Sequence, residues 1–126
     1  ALLALPDSLD RWSNVKVLNA HGNRIAALPE SFGFFLVSLE VLDCSGNRLT
    51  ELPRSFVELP ALRAAVLERN ELAQLPEDIA VLSLLEELRL RGNLLQALPE
   101  GIGGLPRLRL LDVSENWLTA LPAGIC

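Results

Sequence analysis

Leu85-Glu86-Glu87-Leu88-Arg89-Leu90-Arg91-Gly92-Asn93-Leu94-Leu95-Gln96-Ala97-Leu98-Pro99 reads as one period of a repeat. Across Leu88-Arg89-Leu90 the pattern has period two, so both leucines point to one face of a strand while Glu87, Arg89 and Arg91 point to the other. Asn93 then turns the chain, Leu95 and Leu98 return to the apolar side, and Pro99 closes the segment. Proline removes a backbone donor and holds φ, which suits the end of a loop and not a sheet interior.

The same pattern recurs in both directions. Asparagines at Asn23, Asn47, Asn70, Asn93 and Asn116 are spaced 24, 23, 23 and 23 residues. Leu-Pro pairs place prolines at Pro6, Pro29, Pro53, Pro76, Pro99 and Pro122, spaced 23, 24, 23, 23 and 23. Both series carry one extra residue between Pro29 and Asn47, so two markers share a single slip. A period in this range is the signature of a solenoid. The units are residues 15–29, 39–53, 62–76, 85–99 and 108–122, each L-x-x-L-x-L-x-x-N-x-L-x-x-L-P, and Leu, Ile, Val, Ala or Cys fills every apolar framework position.

One such strand cannot bury its apolar face alone, but successive units stacked about 4.8 Å apart as a parallel sheet share one core. The five asparagines should form a structural ladder that satisfies backbone groups in the turns. The segments after each Leu-Pro should return the chain through short helical or 3₁₀ turns, with Trp12, Leu36, Leu59, Leu82 and Leu105 inward. The inserted residue lies in Phe32-Gly33-Phe34-Phe35-Leu36, so Phe34 or Phe35 should lie near the convex surface, with Gly33 permitting a local bulge.

The repeat resembles the leucine-rich repeat family over essentially the whole chain. The further apolar residue three places after proline (Leu9, Phe32, Phe56, Ile79, Ile102, Ile125) makes it similar to the 23-residue class of intracellular proteins that engage Ras-type GTPases. The fold class is therefore α/β: a right-handed solenoid with a short parallel concave sheet and a convex side of loops, 3₁₀ and helical turns. One domain spans residues 1–126, with five repeats and partial terminal repeats expected to belong to a longer array. The resemblance implies a protein partner, with a small GTPase or other signalling protein among the candidates, and an intracellular location.

Composition narrows the classes further. The chain has 126 residues, 30 of them leucine, and a net charge of −5, so phosphate backbones are poor partners and no nucleic acid is expected. No charge-free stretch is long enough to cross a bilayer. Cys44 and Cys126 belong to coils roughly 15 Å or more apart, too far for a disulfide, which favours a reducing interior.

Catalysis finds little footing. His21 is the one histidine, Cys44 takes an inward position, and no Walker-type lysine follows a glycine loop. No metal or cofactor is expected. Glu68 with Glu86 or Glu87 could pair, but on an open sheet face without a desolvating pocket. The expectation is a non-enzyme.

What remains is the surface that the repeat displays. Outward columns run Val17, Val41, Ala64, Glu87, Leu110, then Asn19, Asp43, Val66, Arg89, Asp112, then His21, Ser45, Glu68, Arg91, Ser114, with Arg24, Arg48, Glu71, Leu94 and Trp117 at the rim. Valine, arginine, tryptophan and mixed charges compose a protein interface. Asn19, His21, Asp43, Val66, Glu68, Arg89, Arg91, Asp112 and Trp117 are the expected partner-binding residues of the concave face. Two other roles stay open: a regulatory or targeting segment of a larger signalling enzyme (kinase, GTPase, cyclase or ubiquitin ligase), and end-to-end self-association.

Overall fold

The computed structural model describes residues 11–122. Pro6, Leu9, Ile125, Cys126 and the two terminal partial repeats lie outside the described residues. Five three-residue strands, β1 (Val17–Asn19), β2 (Val41–Asp43), β3 (Ala64–Val66), β4 (Glu87–Arg89) and β5 (Leu110–Asp112), form one parallel sheet in chain order. The register runs Val17, Val41, Ala64, Glu87, Leu110 and Asn19, Asp43, Val66, Arg89, Asp112 as facing partners. These are the columns that the 23-residue period dictates. This is the solenoid of stacked coils that the repeat predicts.

The period-two rule holds in β1 to β4, while the three residues of β5 are all half-buried. Leu42, Ala65 and Leu88 are buried, and so are Cys44, Leu67 and Leu90 beyond the strand ends. They join Leu49, Leu72 and Leu95 in one continuous core. Val15, Leu18, Leu108, Leu111, Val113 and Leu118 are only partly buried against it. Leu121, a framework position, is exposed.

The return segments are 3₁₀ turns at Arg54–Glu58, Ile79–Val81 and Glu100–Gly104. The unit with the extra residue instead makes one α-helical turn, α1 (Phe32–Phe35). Phe32 stays in the core, its ring stacked on Phe56 at 6.5 Å between centroids, while Phe34 and Phe35 are 63% and 40% exposed. Gly33 does not make a bulge. Its N–H donates to Ser55 Oγ at 2.8 Å, and a Cβ there would collide with the Ser55 carbonyl. Glycine is required because α1 lies against the next coil. Leu36, Leu59, Leu82 and Leu105 are buried as expected, and Trp12 is half-buried against the core.

The asparagine ladder holds the coils together. Asn70 Oδ1 accepts from the Leu49 N–H of the preceding coil at 3.0 Å. Its Nδ2 donates to Cys44 O of that coil and to Leu67 O of its own, at 3.0 and 3.1 Å. Asn47, Asn93 and Asn116 repeat this pattern on Ile25, Leu72 and Leu95. The residue before each asparagine takes a left-handed conformation. Gly22, Gly46 and Gly92 occupy three of these positions, but Arg69 (φ 55) and Glu115 (φ 54) occupy the others. A side chain there crowds its own backbone.

Three outcomes follow in urea denaturation. Asn70→Ala strands a buried N–H and buried carbonyls and lowers stability by about 3 kcal/mol; an unchanged midpoint would contradict the ladder. Arg69→Gly relieves the left-handed strain and raises stability by about 1 kcal/mol, whereas Gly46→Ala lowers it by a similar amount.

Candidate functional site

The nine residues singled out from the sequence lie on or beside one sheet face. Asn19, Asp43, Val66, Arg89 and Asp112 close the five strands in a single column. His21, Glu68 and Arg91 follow two residues later, and Trp117 stands on the adjoining loop rim, 69% exposed. Val66 is half-buried between Asp43 and Arg89.

The strand-closing column also has a local task. Asp43 Oδ1 accepts the Ser45 N–H at 3.0 Å and the Ser45 hydroxyl at 2.6 Å. Asp112 holds Ser114 in the same way, and Asn19 Oδ1 accepts the His21 N–H at 3.0 Å. An aspartate or asparagine that caps the N–H two residues on ends the strand in a turn. The two Ser114 hydrogen bonds hold the Asp112 carboxyl below its usual range.

His21, Ser45 and Asp43 make a hydrogen-bonded line, with His21 Nδ1 2.8 Å from Ser45 Oγ. The serine has one proton and gives it to Asp43. His21 Nδ1 is therefore the donor to Ser45. An activated nucleophile requires the opposite order, with the imidazole accepting the hydroxyl proton. The line orients His21 and does not prepare Ser45 for attack. This line was not anticipated; the D-x-S spacing in Asp43-Cys44-Ser45 carried the signal.

Ion pairs organise the remaining charges. On β4, Arg89 Nε lies 3.0 Å from Glu87. Arg91 pairs with Glu115 of the next coil at 3.0 and 3.3 Å, which holds Glu115 below and Arg91 above their usual ranges. A second set was not anticipated. Residues just before the strands alternate in sign, Lys16, Glu40, Arg63, Glu86, Arg109, and Arg63 reaches Glu40 at 3.7 Å and Glu86 at 3.0 Å while Arg109 reaches Glu86 at 3.6 Å. The alternation was visible at the repeat spacing. The Arg63 hydrogen bond, with the charges of Arg63, Arg109 and Arg107, holds the Glu86 carboxyl below its usual range. All three shifted carboxyls move away from the raised values that a general acid at neutral pH needs.

Enclosed space lies elsewhere. A groove of about 730 Å³, lined by Glu30, Glu51, Arg54, Gln74, Glu77 and Asp78 among others, contains none of the nine residues. Among the described residues, no three His, Cys, Asp or Glu side chains are grouped to hold a metal ion. Burial pushes the Cys44 thiol up to about 12, with Asp43 adding to the effect, so it stays protonated and unreactive. Among the described residues, no helix is long and apolar enough to cross a membrane.

Residues 13–72 match the leucine-rich repeat family. No curated protein matches the chain in sequence. Solved structures do. The leucine-rich repeat domain of the type III effector XopL is 28% identical over 98% of this chain, with a TM-score of 0.91. The BIR3–SERK2 complex of Arabidopsis thaliana contains a chain 32% identical over 86%, TM-score 0.76. The ectodomain of the Arabidopsis thaliana receptor kinase GASSHO1/SCHENGEN3, solved in complex with CASPARIAN STRIP INTEGRITY FACTOR 2, is 34% identical over 97%, TM-score 0.87. This chain spans 45%, 60% and 15% of the length of those chains.

Lowered carboxyl pKa values stabilise the fold above the ordinary carboxylate range, and that contribution is lost as pH falls through the lowered values. The urea midpoint should therefore drop between about pH 5 and about pH 3. Glu86→Gln should make this dependence shallower; an identical slope would show that the Arg63–Glu86–Arg109 contacts do not bear on stability.

Proposed function

Taking the chain as what its fold and family match make it, a leucine-rich repeat protein, we propose that it is a protein-binding module whose main contact surface is the concave sheet face. One observation carries this reading. The outward strand columns hold residues that the core does not dictate, Val17, Val41, Val66, Arg89 and Arg91 among them, on a backbone made rigid by the asparagine ladder. Preorganised, mixed apolar and charged surface binds with little ordering cost. Related folds support it: two of the similar structures are complexes with a protein or a named factor. Binding and not catalysis is the role that the Asp43–Ser45–His21 order and the lowered carboxyl pKa values favour.

In this reading the partner is a signalling protein inside the cell, with a small GTPase as one candidate. The unpaired Cys44 thiol agrees with a reducing compartment. One of the similar structures is the ectodomain of a receptor kinase, which supports a second reading in which these repeats are the targeting segment of a larger enzyme.

The test compares two folded variants in cross-linking capture read by mass spectrometry. Val41→Glu with Val66→Glu alters the sheet face; Phe34→Ser with Phe35→Ser alters the opposite side. The face variant should lose a partner that the other variant retains. The reverse result would move the contact surface to α1.

A further inference from the structure

The loop rim beside the sheet face carries one column whose chemistry changes steadily along the stack. Arg24, Arg48, Glu71, Leu94 and Trp117 each follow a ladder asparagine. Backbone hydrogen bonds stack the column: Arg48 N–H to Ile25 O, Glu71 N–H to Leu49 O, Leu94 N–H to Leu72 O and Trp117 N–H to Leu95 O, at 2.8 to 2.9 Å. All five side chains are exposed.

The two ends of the column differ from the paired arginines of the sheet. Arg63, Arg89, Arg91 and Arg109 are all engaged with carboxylates within 4 Å. Arg24 and Arg48 stand on adjacent coils, and among the described residues neither forms an ion pair. Adjacent like charges repel across about 5 Å, Glu71 offsets this only on the far side of Arg48, and an incoming anion relieves the remainder. At the other end Leu94 and Trp117, 46% and 69% exposed, form an adjacent apolar pair on the same column. Exposed tryptophan beside an apolar neighbour is the usual form of an interface anchor.

We propose that this rim receives an extended segment of a partner protein, with carboxylates over Arg24 and Arg48 and one bulky apolar side chain over Leu94 and Trp117. The two ends lie four strand spacings apart, about 19 Å, which an extended chain covers in about six residues. Glu71, between them, repels carboxylates at the centre, so the segment is neutral or basic there. The net charge of −5 disfavours polyanions as occupants and leaves a short acidic stretch as the fitting one. This inference rests on the reading of the chain as a binding module and specifies its partner.

The test is selection of phage-displayed random dodecapeptides on the purified chain, followed by fluorescence anisotropy of the labelled selected peptide. Enriched peptides should carry two carboxylates and a bulky apolar residue five or six positions away. Arg24→Ala with Arg48→Ala should weaken binding by at least about tenfold and flatten its salt dependence. Trp117→Ala should weaken it by about tenfold and leave the salt dependence intact. Arg63→Ala with Arg109→Ala, on the opposite edge of the strands, should change little. Peptides lacking carboxylates, or binding indifferent to the rim variants, would overturn the proposal. So would phosphatidylserine vesicles that bind in an Arg24- and Arg48-dependent way when no peptide is selected. If rim variants still bind a partner that the Val41→Glu, Val66→Glu variant has lost, the face reading stands and the rim proposal fails. If the face variant keeps its partner while the selected peptides depend on Arg24, Arg48 and Trp117, the rim stands and the face reading fails.

Discussion

Everything in this molecule depends on a buried amide that serves two coils at once. Asn47, Asn70, Asn93 and Asn116 each accept an N–H from the preceding coil and donate to carbonyls of both. A sharp turn after every strand leaves these backbone groups without partners, and burial makes unpaired groups costly. Asn47, Asn70 and Asn93 are buried and satisfied. Aspartate could accept but not donate in this position, and leucine could do neither. The leucine core supplies the driving force for stacking, while the asparagines hold the coils in register.

A backbone held so uniformly lets the outward residues differ without disturbing the fold. Two adjacent coils therefore present different chemistry at equivalent positions. Val66 faces Arg89 on the next strand, and Arg48 gives way to Glu71 on the rim. Some of this freedom is already taken up locally. Asp43, Asp112 and Asn19 close their own turns, and Arg89 and Arg91 are neutralised by Glu87 and Glu115. Among the described residues, Arg24 and Arg48 form no such ion pair, which is why the proposed contact places the partner's carboxylates there.

The extra residue of the second unit shows how a solenoid absorbs an irregularity. Four residues in an α-helical turn replace the 3₁₀ geometry of the later units. Phe32 keeps its place on Phe56, and the additional length emerges as exposed Phe34 and Phe35. Gly33 makes this possible by letting the helical turn approach the Ser55 backbone. The sequence located the slip and its aromatic consequence. It did not reveal the close contact, because the two backbones that meet are 22 residues apart.

The sequence by itself determined the repeat, the strand register, the buried framework and the ladder, since each follows from a period that recurs along the chain and from the alternation of side chains in a strand. The column order of the surface was equally legible. Tertiary structure alone decided how charges on neighbouring coils pair, that Ser45 gives its proton to Asp43 and so leaves His21 as donor, and which arginines remain unneutralised. The physical reason is distance. Periodicity states which residues are neighbours to within one strand spacing, whereas ion pairs and hydrogen bonds are settled within a fraction of an ångström by rotamers that no repeat encodes.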